Sequence, residues 1–303
     1  MGKAGPFRHL YHQKRRRTVY GLLAQRVANR CVDGDCDQLT LVNGPIDGGP
    51  NVKLLIINLN LSSDERGGCE AIARALAVLR PEASIDIVNY ADVQQRADVQ
   101  QGTDVQQGTD VQQGADVQQG ADVQQGVCNL SAIDGVILGP QGTPFSQYPP
   151  EFLPWLAEWT QALPCPILAI CGGMQALALA LGGHLEAVDG SGPIAGPNYA
   201  GRAKITGLVA IAIDANTLPA WLLAGWQGPI DGEPCMQSHC EQIGRLPPPL
   251  QSIAHSAATP VEAFVHPHRR WLGCQFHPER GWDAGGSAGK LWLRAWLATV
   301  GHR

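Results

Sequence analysis

The sequence predicts an α/β fold built on a parallel sheet, and three observations predict it. Short apolar runs recur along the chain, each the right length for a strand buried on both faces. Segments with three- and four-residue apolar spacing lie between them. The chain has 303 residues, 44% of them apolar, enough for one large domain or two small ones with a sizeable core. Strands that alternate with helices require crossovers, and crossovers make parallel sheets.

Residues 1–50 do not read as part of that domain. The first thirty carry Lys3, Arg8, Lys14, Arg15, Arg16, Arg17, Arg26 and Arg30 and no acidic residue. The weakly apolar stretch after Arg17 is interrupted by Gln25 and Arg26, a poor secretory h-region. The segment is expected to be a basic, disordered extension; a start codon assigned too far upstream and a basic arm that touches RNA or an acidic partner are the other readings. Cys31 and Cys36 lack a second ligand pair and read as free thiols.

Regular structure is expected from Lys53 to the end of the chain. "VKLLIINLN" reads as the first strand, and "LSSDERGGCEAIARALAVLR" as a helix that Pro81 breaks. "SIDIV" is a second strand, "IDGVILG" a third and "CPILAI" a fourth. Residues 91–126 interrupt the pattern with six tandem hexamers of the ADVQQG type. The valine spacing resembles a left-handed β-helix, but 36 residues make only about two uncapped coils. A disordered, recently expanded insertion in a surface loop is expected, where added length costs little.

Composition narrows the function. The net charge of −5 gives no global pull toward nucleic acid or a membrane surface. No apolar run approaches the roughly 18 residues that span a bilayer. Nine cysteines, an odd number without any C-x-x-C pair, argue against a disulfide framework, a zinc knuckle or another metal site. A cytoplasmic protein without a cofactor is expected.

One stretch points to chemistry. In "PILAICGGMQALALALGG" a buried strand stops at Cys171 and a helix begins at once. Such a turn strains the apex residue and needs small neighbours, here Ala169 and Gly173. The thiol then lies at the positive end of the helix dipole, and the Gly172 N–H points where an oxyanion would form. A buried structural cysteine fits the stretch too. In "WLGCQFHPER" a strand-like run ends at His277, with Glu279 two residues on. A thiol nucleophile needs a base, and the base needs an orienting acceptor.

Together these motifs resemble class I glutamine amidotransferases of the triad type, especially stand-alone domains similar to the amidotransferase half of GMP synthase. "PILAICGGMQALALALGG" resembles the nucleophile elbow and "GCQFHPE" the His/Glu motif. "IDGVILGPQGTP" resembles the glycine-rich loop that gives the second oxyanion donor. "SHCEQIGRLPPPLQSIAHSAATPVEAF" resembles the segment before the final strand. The resemblance covers roughly 53–90 and 127–300. It implies a flavodoxin-like, doubly wound, mostly parallel sheet with helices on both faces.

It also implies Cys171 as nucleophile, His277 as general base and acid, and Glu279 as orienter. Gln175 would help hold the amino-acid end of the substrate, unless it lies on an exposed helix face. His239 would lie near the bound glutamine, unless it is a solvated loop histidine. Gly172 would be one oxyanion donor. Pro140 has no N–H, so the second donor is expected at Gly142, or else Gly139. Ala169 stands where the family has glycine, a tolerable increase in crowding. Gly172 stands where bulkier residues are frequent, so a looser elbow is expected. The stretch 189–201 is a candidate lining for the pocket entrance.

The implied reaction is hydrolysis of the glutamine side-chain amide through a cysteine thioester, with ammonia passed to a separate partner synthase. A γ-glutamyl hydrolase acting on γ-glutamyl amides or peptides needs the same triad, and a catalytically idle protein-binding relative is the third reading. No nucleic-acid or membrane partner is expected.

Overall fold

The computed structural model describes residues 52–95, 132–228, 232–284 and 288–301. The basic segment and all but the first five residues of the hexamer insertion therefore lie outside the described residues. Those five, Ala91–Gln95, continue a helical turn from Tyr90.

The four runs read as strands are strands. They are β1 (Lys53–Asn58), β2 (Ser84–Asn89), β3 (Gly135–Leu138) and β4 (Ile167–Ile170). Helix α1 (Gly67–Leu79) follows β1 and ends two residues before Pro81. Helix α2 (Phe152–Ala162) precedes β4, and α3 (Gly172–Ala180) follows it after a single residue.

The rest of the chain adds β5 (His184–Ala187), β6 (Ile205–Ala210), β7 (Ala212–Ile213), α4 (Ala220–Ala224), β8 (Pro234–His239) and β9 (Glu241–Arg245). Then come β10 (Gln251–His255), β11 (Ala263–Val265), β12 (Trp271–Cys274) and α5 (Ala288–Leu297).

The main sheet has eight strands in the order β2-β1-β3-β4-β12-β11-β10-β7. From β2 to β12 every pairing is parallel; from β12 to β7 every pairing is antiparallel. The doubly wound α/β expectation holds for the first five strands, and an antiparallel extension completes the sheet. Two small antiparallel pairs, β5–β9 and β6–β8, lie outside it.

Alternation along each strand divides the core in two. Leu54, Ile56, Ile137, Leu168, Ile170 and Leu272 face one cluster, with residues of α1 and α5. Leu55, Ile57, Val136, Leu138, Ile167 and Trp271 face the other, with residues of α2 and α3. Helices cover both faces, so the central strands carry apolar side chains at every position.

Order reverses between β1 and β3, which opens a crevice beyond the carboxyl ends of the parallel strands. The loops after β1, β3, β4 and β12 all emerge there. The run before His277 leaves the sheet earlier than expected. β12 ends at Cys274, after which Gln275 N–H donates to Glu262 O (2.8 Å) and His277 N–H to Met236 O (2.8 Å). The histidine is thus pinned to β8 rather than to a neighbour in the main sheet.

Gly273 in β12 pairs with Phe264 in β11, and the Phe264 ring covers it. A Cβ at Gly273 would come within 2.5 Å of that ring. Gly273→Ala is expected to cost about 1–3 kcal/mol by overpacking. Thermal denaturation should then show a fall in Tm of roughly 2–10 °C. An unchanged Tm would mean that Phe264 moves aside freely.

Candidate active site

Cys171 stands alone between β4 and α3, with φ 50° and ψ −109°. Among the described residues it is the one non-glycine with positive φ. A conformation of this kind costs about 1–3 kcal/mol and persists only where its surroundings enforce it. They do so on two sides. The Cys171 N–H donates to Cys274 O (2.7 Å), tying the turn to β12. Gly173 lies against the Leu138 carbonyl, so that a side chain there would collide with it. The first turn of α3 leaves N–H groups without helical acceptors, and the sulfur sits beside them.

His277 and Glu279, expected as base and orienter, lie in direct contact. His277 Nδ1 lies 2.8 Å from Glu279 Oε1, and both side chains are buried. The same oxygen accepts Arg280 Nε at 3.1 Å, while Glu279 Oε2 is buried without a partner. Burial, the largest single influence, works to lower the His277 pKa. The negative charges of Cys171 and Glu279, with hydrogen bonds to both, outweigh it and raise the imidazole from 6.5 to about 9. The thiol also accepts Gln275 Nε2 at 3.8 Å.

The oxyanion loop differs from expectation. The Gly142 N–H donates to Asn60 Oδ1 (2.9 Å), and the Gly139 N–H donates to Ile57 O (3.0 Å). The N–H groups of both expected donors are thus engaged inside the protein. The amide between them is the one facing the elbow: a Cβ on Gly172 would lie 2.7 Å from Gln141 N. The elbow is not loose either. Gln141 fills the space a bulkier residue at 172 would take, with its Cγ in contact.

Gln175 and His239 are both buried, at 2% and 4% exposure, neither on an exposed helix face nor solvated. One backbone carbonyl holds both: Glu241 O accepts Gln175 Nε2 (2.6 Å) and faces His239 Nδ1 (2.9 Å). Gln175 Nε2 also donates to Gln275 Oε1 (3.1 Å), so the atom left for a ligand is Oε1, an acceptor.

Burial lowers the His239 imidazole to about 4, so it is neutral at pH 7. With a carbonyl at Nδ1 the proton is assigned there, which leaves Nε2 a bare acceptor, buried without a partner. The Glu241 carboxylate accepts Ile194 N–H (3.1 Å) and the Tyr199 hydroxyl (2.7 Å). These groups and the thiol line one cavity of about 370 Å³, within the range of small-molecule sites. No group of acidic, His and Cys side chains fit to hold a metal ion occurs among the described residues. No helix among them is long and apolar enough to cross a membrane.

A family model described as glutamine amidotransferase class-I matches residues 99–289, more than half of the chain. The chain belongs to that family. It is 36% identical over 155 residues to the glutamine-hydrolysing GMP synthase of Thermosynechococcus vestitus, covering 51% of this chain and 25% of the relative. To the corresponding enzyme of Nitrosomonas eutropha it is 35% identical over 119 residues, covering 38% of this chain and 20% of the relative. The matched part spans a quarter or less of these curated relatives. The crystal structure of a GMP synthase-type protein from Thermoplasma acidophilum aligns over 82% of this chain and 93% of its own, with TM-score 0.52 and 18% identity, which establishes a shared fold.

Within this amidotransferase-family site, sequence reasoning missed Gln141, Tyr199, Glu241 and Gln275. Glu241 and Gln275 lie inside the quoted stretches, two residues after His239 and two before His277. A buried hydrogen-bonding role for each was the available signal. Gln141 was passed over for its glycine neighbours, and Tyr199 sits in 189–201, a stretch with no periodicity to read.

The raised His277 pKa makes a measurable prediction. The protonated form contributes stability that is complete below about pH 6.5 and lost as pH rises through 9. NMR titration of the His277 ring should give a midpoint near 9, and Cys171→Ala should move it down, because the sulfur is the strongest upward influence. A midpoint near 6.5 in both proteins would contradict the ion-pair geometry.

Proposed function

We propose that this chain hydrolyses the side-chain amide of glutamine through a thioester on Cys171 and that the ammonia feeds a synthase. The observation that carries the reading is the strained Cys171, held between free N–H groups and the buried His277–Glu279 pair. The Cys171 sulfur attacks the amide carbon, and the carbonyl electrons move onto oxygen. The N–H groups of Gly172 and Gln141 receive that oxyanion. His277, oriented by Glu279, gives its proton to the departing nitrogen, and ammonia leaves. Water, deprotonated by the same imidazole, attacks the thioester carbon and releases glutamate.

Gln175 Oε1 and His239 Nε2 are acceptors suited to the α-ammonium of the substrate. The names of the curated relatives couple glutamine hydrolysis to GMP synthesis. By analogy the nitrogen released here is handed to an acceptor at a synthase, which is the partner we propose.

Ammonia and glutamate release from glutamine, compared with release from γ-glutamyl peptides, tests the reading. Glutamine should be the better substrate of the purified protein, with stimulation when its synthase is present. Cys171→Ala should lose at least about a thousandfold in rate. Fast cleavage of the peptides with little action on glutamine would make the protein a γ-glutamyl hydrolase. Equal rates for wild type and Cys171→Ala would remove the thiol from the mechanism.

A further inference from the structure

We propose that Tyr199 is a positioning residue for the oxyanion step: its hydroxyl bridges Gln141 and Glu241 and thereby holds the Gln141 N–H over the thiol. The inference rests on Gln141 N–H as the second oxyanion donor. Loop 139–142 is tethered on both sides of that amide. On one side the Gly142 N–H donates to Asn60 Oδ1 (2.9 Å), and Asn60 is itself fixed through Nδ2 to Asn58 Oδ1 (2.8 Å). On the other side Gln141 Nε2 donates to the Tyr199 oxygen (3.2 Å), and the Tyr199 hydroxyl donates to Glu241 Oε2 (2.7 Å).

The relay has a forced polarity. The carboxylate only accepts, so the single phenolic proton points at Glu241 and the phenolic oxygen must receive from Gln141. Burial, the strongest influence, raises the Tyr199 hydroxyl well above the usual phenol range, so it remains a donor. Glu241 is 4% exposed and its other oxygen accepts Ile194 N–H (3.1 Å), so the anchor cannot swing. The relay presses Gln141 onto the elbow, and glycine at 172 leaves the room: a side chain there would collide with Gln141 Cγ. Glu241 O at the same time holds Gln175 and His239, so the oxyanion donor and the substrate-facing acceptors share one anchor.

Tyr199→Phe removes the relay and keeps the ring. Steady-state hydrolysis is measured with glutamine and with a chromogenic γ-glutamyl anilide, and Cys171 alkylation is measured with iodoacetamide. Loss of an oxyanion donor costs about 100- to 1,000-fold. A donor left in place but loosened should lower kcat by roughly 10- to 100-fold with KM within about threefold.

Alkylation should stay within about twofold, because displacement at saturated carbon develops no oxyanion. Gln141→Leu should show the same loss, and the double variant no more than either single one, as for two ends of one relay. An unchanged kcat, additive losses, or alkylation falling in parallel with turnover would overturn the assignment. A wild type that cleaves the anilide and ignores glutamine would overturn the substrate reading alone, and the anilide rates would still decide the role of Tyr199.

Discussion

Everything at this site depends on one steric constraint: the chain turns from β4 into α3 with a single residue between them. With the Leu138 carbonyl against Gly173, the helix can approach the sheet only if Cys171 takes the left-handed conformation. That conformation lifts the sulfur out of the sheet and into the crevice, where the loops after β3 and β12 also arrive. A relaxed backbone at 171 would add length to the turn and separate the sulfur from the helix amides. The strain is therefore a structural requirement of this placement of the thiol, and the packing of β3 against β4 sustains it.

Two buried carboxylates organise the polar side of the crevice. Glu279 fixes the imidazole, and Glu241 fixes the loops around the ligand space. Glu279 lies beyond the end of β12 and binds the side chains of His277 and Arg280, while Glu241 opens β9 and binds main-chain and side-chain groups. Glu241 does so with both its carbonyl and its carboxylate, so one residue sets four contacts on three separate chain segments. Both Glu241 oxygens meet donors, whereas the donors to Glu279 converge on Oε1 alone.

Sequence alone made the scaffold and the meeting of Cys171, His277 and Glu279 legible, for a shared reason. β1, β3 and β4 are apolar throughout, α1 keeps helical spacing, and Gly172–Gly173 marks an abrupt change of geometry; all are local signals. The hydrogen bonding of the 139–142 loop was not legible, because the Gly142 N–H is taken by Asn60, some eighty residues away in the chain. The end of β12 was misplaced by three residues for the same reason: a contact to Met236, outside the local pattern, reclaims His277. The antiparallel half of the sheet was missed because β7, β10 and β11 are two to five residues long, too short for alternation to register.

β12 is the seam of the sheet, parallel to β4 on one side and antiparallel to β11 on the other. Cys171 and His277 follow the adjacent strands β4 and β12, yet about a hundred residues of chain separate them. Pairing across such a span is slow, because loop closure precedes the contacts that reward it. On the ribosome, at roughly 5–20 residues per second, the thiol emerges many seconds before the histidine. A nascent chain thus carries Cys171 without its His277 neighbour until the last parallel strand docks. The meeting of Cys171 with His277 and Glu279 is a late event of folding.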